Sequence, residues 1–203
     1  MKRIYITAVP LQSNFVVEQK PVNPVNFALC RGPQQACFPI VPIIAQTVRP
    51  GDSVRVLAVC QKNQPQNENL EILKRELDSL QLPHYTLQEL AVAENQGKDT
   101  LLGMFSDLLG QMEDDACYYA CMTFGTKTFP LVLFSVLSCV EKIKKNVEIQ
   151  GIYYQEITRS AGVCTAANLY DVTALFTLNR IVDLVAEMDA DHKEEMVRLL
   201  LEQ

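Results

Sequence analysis

Tyr118-Tyr119-Ala120-Cys121-Met122-Thr123-Phe124-Gly125-Thr126-Lys127 is the stretch that decides the fold. Its first half extends an apolar run that begins near Asp115, without the alternation of a half-exposed strand, so it reads as a strand buried on both faces from Asp115 to Met122. Its second half is a glycine-containing turn, and Phe129 to Lys144 follows as an apolar helix. A buried strand that passes through a short turn into a helix is the βα unit of a parallel sheet.

The same unit recurs outward from this point. Upstream, Met1-Lys2-Arg3-Ile4-Tyr5-Ile6-Thr7-Ala8-Val9 is a first strand that meets Pro10 and a polar loop, Gln12-Ser13-Asn14. Pro21, Pro24, Gly32 and Pro33 mark an excursion before a helix from Ala36 to Val48. Ser53 to Cys60 is a second strand after the Pro50-Gly51-Asp52 turn, and Leu70, Leu73, Leu77 and Leu80 give Asn67 to Leu80 a helical period. His84 to Val92 is a weaker strand; Lys98 to Met112 is a helix with Leu101, Leu102, Phe105, Leu108 and Leu109 inward. Downstream come a fifth strand, Val147 to Tyr154, then Leu169 to Thr173, a helix from Ala174 to Met188 and an amphipathic helix from Asp191 to Glu202.

Five strands alternating with helices predict a three-layer Rossmann-like α/β fold with a mainly parallel sheet and helices on both faces. Ligands of such sheets gather at the carboxyl ends of the strands. No repeat or long linker divides the chain. We therefore expect one domain over residues 1–188, with 189–203 a C-terminal helix packed on that domain or on a dimer partner.

The 203 residues are 48% apolar, enough for one core, and carry a formal net charge of −6. That balance argues against a duplex nucleic-acid partner, which calls for a basic surface. Seven cysteines scattered through apolar elements, with no signal peptide ahead of them, read as reduced thiols of a cytoplasmic protein. The longest apolar run, Leu131 to Val140, is shorter than the roughly 20 residues of a membrane-spanning helix. His84 and His192 are the only histidines, and neither has metal-ligand or catalytic-triad spacing. No metal or cofactor is expected.

The turn from Thr123 to Lys127 is the leading site candidate. It stands where backbone N–H groups at a helix start favour an anion, Gly125 permits close approach, Thr126 offers a hydroxyl and Lys127 a charge. A turn glycine, a capping threonine and a solvated lysine would look the same in sequence. The spacing is not that of a Walker loop, and no GxGxxG follows the first strand, which weighs against a dehydrogenase-like domain. If the strands are parallel, Pro10, Leu11, Gln12, Ser13 and Asn14 share the turn's edge of the sheet. Tyr153, Tyr154 and Arg159, at the end of the fifth strand, could stack on a base or meet a phosphate; alternation would otherwise put one tyrosine in the core and expose the other. Asp171 and Thr173 read first as a helix cap.

From Tyr118 to Lys127, with the apolar helix and Ile149-Gln150-Gly151-Ile152-Tyr153-Tyr154 beyond it, the chain resembles CRISPR-associated Rossmann-fold (CARF) domains. Leu169-Tyr170-Asp171-Val172-Thr173-Ala174-Leu175-Phe176, the first strand through Asn14 and Phe38-Pro39-Ile40-Val41-Pro42 are similar to the same family. The resemblance spans most of the chain, and its specific part is Thr-x-Gly-Thr-Lys. It implies a homodimer that shares one cyclic oligoadenylate, cyclic tetra-adenylate favoured, in type III CRISPR antiviral signalling. Thr123, Phe124, Gly125, Thr126, Lys127 and the Pro10 to Asn14 loop would face the ligand. An attached or separate effector would act downstream, although no ribonuclease R-x4-6-H or nuclease carboxylate-lysine set is present. The resemblance also allows a ring nuclease without metal. A ribose 2′-hydroxyl would attack the adjacent phosphorus, with Lys127 stabilising charge and Ser13 or Thr126 orienting the sugar.

Overall fold

The computed structural model describes residues 1–11, 16–22, 29, 31–62, 67–160, 163–189 and 191–201. In chain order the elements are β1 (Lys2–Ala8), β2 (Val17–Glu18), β3 (Lys20–Pro21), β4 (Gln35–Ala36), α1 (Ile40–Thr47), β5 (Ser53–Gln61), α2 (Asn67–Ser79) and β6 (Tyr85–Val92). They continue with α3 (Lys98–Gly110), β7 (Ala116–Cys121), α4 (Phe129–Ile143), β8 (Glu148–Ser160), β9 (Val163–Asp171), α5 (Thr173–Glu187) and α6 (Lys193–Leu201).

Seven strands form the main sheet in the order β3-β9-β8-β7-β1-β5-β6. β8, β7, β1, β5 and β6 are mutually parallel. Numbered by their own sequence order, these five lie 5-4-1-2-3, the order of a Rossmann sheet, whose direction of winding reverses between β1 and β7. The expected three-layer α/β architecture is therefore present.

Both faces of the central strands are buried because both side-chain sets are apolar. On one face Tyr5, Val56, Ala58, Tyr119 and Cys121 pack with Ile40, Ile43 and Ile44 of α1 and with Leu73 and Leu77 of α2. On the other, Ile4, Ile6, Leu57, Tyr118 and Ala120 pack with Met104 and Leu108 of α3, Leu133 and Val136 of α4 and Phe176 of α5. Burying an aliphatic side chain of this size contributes about 1.5–3 kcal/mol. Tyr5 and Tyr119 stack at 4.8 Å between centroids. Cys37, Cys60, Cys117 and Cys121 are buried thiols outside any disulfide, and burial raises all four, Cys37 to about 12 and Cys60 to about 11.

Three expectations need correction. The helix expected from Ala36 begins at Ile40, because Gln35–Ala36 is a short strand paired with Val17–Glu18 and Pro39 takes the N-cap. The Glu76 carboxylate of α2 accepts the N–H groups of Cys37 and Phe38 at 2.6 and 3.2 Å and so ties α2 to the approach to α1. The fifth strand runs past Tyr154 to Ser160, since β9 supplies it with an antiparallel partner. The sheet thus gains β9 and β3 beyond the five strands expected. β7 stops at Cys121, level with Tyr153, so the β8–β9 ribbon projects from the carboxyl edge of the sheet.

α6 folds back on α5, where Lys193 Nζ donates to the Ala186 carbonyl at 2.8 Å. No described helix is long and apolar enough to cross a membrane.

Candidate functional site

At the carboxyl edge, between the ends of β1 and β7, lies a cavity of about 290 Å3. Pro10 and Leu11 line it from the chain after β1; Thr123, Phe124, Gly125 and Thr126 line it from the turn after β7. The crevice at a reversal of winding is where open α/β sheets bind ligands, because the chain leaves the two central strands toward opposite faces.

The turn is built by packing as much as by propensity. Gly125 has φ +102°, and a Cβ there would stand 3.0 Å from Ala8 Cβ and 3.1 Å from the Phe129 ring. Only glycine allows this close approach of the two loops without strain. Phe124 packs against both core clusters and meets Phe38 edge to face at 5.7 Å. The Thr123 hydroxyl accepts the Gln155 N–H at 2.8 Å and lies 3.2 Å from Cys121 Sγ. Thr126 directs its hydroxyl 3.2 Å from that of Thr128, which in turn donates to Gln96 before α3. Thr128 is the N-cap residue of α4, with no side-chain cap bond, and Pro130 sits in the first turn, where a missing N–H costs least.

Four further elements close the cavity. Val59 and Gln61 come from the end of β5, Val92 from the end of β6, Met104 from α3 and Phe129 from α4. The Asn69 amide of α2 donates to the Pro10 carbonyl at 2.7 Å and holds the chain after β1 in place. None of these was singled out from the sequence, although strand ends at a carboxyl edge are where the fold rule looks. The lining contains no ionisable side chain among the described residues. It is an uncharged, largely apolar slot with amide and hydroxyl groups at intervals.

The remaining described candidates do not line this slot. Lys127 is exposed. Tyr154 stands exposed on the projecting ribbon while Tyr153 is buried, as alternation requires, and Arg159 is exposed farther along β8. Gln12, Ser13 and Asn14 lie outside the described residues. Asp171 accepts the Thr173 N–H at 2.9 Å and so serves the start of α5. Among the described residues no three His, Cys, Asp or Glu side chains gather as metal ligands would.

Compared with known proteins, the chain matches no family model, and no curated protein matches it significantly.

Proposed function

We propose that this protein binds a cyclic oligoadenylate, with cyclic tetra-adenylate favoured, at the crevice between β1 and β7, and that two copies share one ring as a CARF-type sensor. The observation that carries the reading is positional. The Thr-x-Gly-Thr-Lys turn and the chain after β1 flank one cavity at the point where the sheet reverses its winding.

The chemistry of the cavity supports a ligand with apolar and anionic parts. An uncharged slot lined by Val59, Met104, Phe124 and Phe129 suits a heteroaromatic base. Lys127 and the backbone at the start of α4 suit phosphates at its mouth. At about 290 Å3 the cavity is near the lower end of small-ligand pockets, roughly 300–1,000 Å3, and holds one nucleotide-sized portion rather than a whole ring. A ring with twofold symmetry shared across a homodimer meets that limit.

Cleavage of the ring is the second reading. The lining offers neither imidazole nor carboxylate among the described residues, so cutting would rest on the ligand's own 2′-hydroxyl held in line.

Thermal shift with cyclic tri-, tetra- and hexa-adenylate, on the wild type and Lys127→Ala, tests the proposal. A rise in Tm with one ring, weakened in the variant, is the expected result; equal melting throughout overturns it. Chromatography of the same mixtures at stoichiometric protein reads the second proposal, which falls if no linear product forms.

A further inference from the structure

The opposite, amino-terminal edge of the sheet carries a second concavity of about 750 Å3. It lies where the end of α1 and the turn after it stand beside Cys117 and Tyr119 of β7 and Glu148 and Gln150 of β8. Its floor holds Arg3, Tyr119 and Gln150; its wall is the end of α1 with the following turn, where Arg49 stands, and Arg31 faces it from the chain before α1.

The charges here do not cancel. Arg3 is buried and committed: its Nε pairs with Asp52, and its Nη1 donates to the Tyr119 hydroxyl at 2.6 Å. Asp52 Oδ2 also accepts the Arg49 backbone N–H at 2.9 Å, and Oδ1 faces the Met1 ammonium at 3.2 Å, so both oxygens are occupied. Arg31 bonds through its backbone N–H, to Gln46 at 2.9 Å. Neither the Arg31 nor the Arg49 guanidinium is in an ion pair among the described residues. The groove sets Arg3, Arg31 and Arg49 against Asp52 and Glu148, a local positive excess on a chain of net charge −6.

We propose that this groove binds a phosphorylated small molecule, with Arg31 and Arg49 on the phosphoryl group and the Tyr119 hydroxyl and Gln150 amide as neutral donors beneath it. Planar guanidinium forks match phosphate oxygens in pairs, and two of them balance a dianion better than a single carboxylate. The volume lies within the roughly 300–1,000 Å3 of small-molecule pockets. The buried Arg3–Asp52 pair gives the floor a fixed shape, so the exposed arginines close on a prepared surface. This site is separate from the crevice at the carboxyl edge and does not depend on what that crevice binds.

The test uses the full chain with glycerol phosphate as a monoester and inorganic pyrophosphate as a free polyphosphate, at ionic strength held constant with sodium chloride. Calorimetry and thermal shift should show saturable binding of at least one probe. In Arg31→Ala/Arg49→Ala the affinity should fall about tenfold or more, as expected on losing two charge-assisted contacts, while Lys74→Ala on α2 keeps wild-type affinity. Both arginines are exposed and bond through the backbone, so an unchanged circular dichroism spectrum is expected for the double variant. Binding of the monoester assigns a phosphorylated metabolite; binding of pyrophosphate alone assigns a free polyphosphate. A response that does not exceed chloride, or that survives in the double variant, overturns the proposal.

Discussion

Gly125 approaches Ala8 so closely that a Cβ on the glycine would lie 3.0 Å from the alanine methyl. This contact joins the turn after β7 to the end of β1, and so sets the width of the crevice between them. Because Gly125 also has φ +102°, Gly125→Ala meets both backbone strain and a steric conflict. We expect a loss of about 1–3 kcal/mol, read as a lower urea midpoint at unchanged slope. Ala8→Gly in the same background should recover part of that loss by relieving the contact but not the strain.

The Arg3–Asp52 pair gives stability a defined dependence on pH. Burial acts to raise the Asp52 pKa, but hydrogen bonds from Arg3 and the Arg49 N–H outweigh it and hold the carboxyl below its ordinary value. A carboxyl depressed in the folded state contributes stability that is complete above its unfolded pKa, near 4, and is lost as pH falls through the folded value. Glu76 works in the opposite sense, since burial raises it despite the N–H bonds from Cys37 and Phe38. Asp52→Asn should therefore cost about 3–5 kcal/mol at neutral pH, by leaving a buried guanidinium without its counter-charge. It should also flatten the acid limb of the stability curve, measured by urea titration from about pH 6 to about pH 2.

Gln155 and Gln19 form a buried side-chain hydrogen bond between β8 and the segment linking β2 to β3. Gln19 passes the connection on, donating to the Ala36 carbonyl at 3.1 Å, and the Gln155 N–H holds Thr123. Gln155 Oε1 is buried without a hydrogen-bond partner among the described residues, which already sets a cost against the pair. Gln155→Met should destabilise by about 1–3 kcal/mol because it orphans Gln19 Oε1. Adding Gln19→Met should cost less than the sum of the two single changes, a non-additivity that a double-mutant cycle reads directly. Additive losses would mean the bond carries no coupling.

The parallel core was legible because its signal is local. Residues 116–121 are apolar on both faces, and the turn beside them contains the one glycine that the crossing requires. β9 was not legible for the opposite reason. Val163-Cys164-Thr165-Ala166-Ala167-Asn168 is short in bulky apolar residues, and its pairing comes from an antiparallel partner that projects past the rest of the sheet. The residue pair β2–β4 is similarly set by tertiary contact, with Gln19 as its anchor rather than any alternating pattern. In the site, the turn could be found from its own residues. Val59, Val92 and Met104 could not, because each looks like ordinary core until the fold brings three elements to one edge.

If a cyclic oligoadenylate occupies the crevice, its phosphates and its bases should respond to different variants. Lys127 is exposed and contributes charge, whereas Leu11 is exposed at the cavity wall and contributes shape. A lysine that meets phosphate gains from counterion release, so its share of affinity shrinks as salt rises. Lys127→Ala should weaken binding about tenfold at low salt and reduce the dependence of affinity on salt. Leu11→Trp should instead crowd the slot, weakening binding by a similar factor at every salt concentration while leaving that dependence as in the wild type. Calorimetric titration with cyclic tetra-adenylate at three ionic strengths separates the two. An unchanged salt dependence in Lys127→Ala would remove the lysine from the phosphate contacts and leave the slot alone as the determinant of binding.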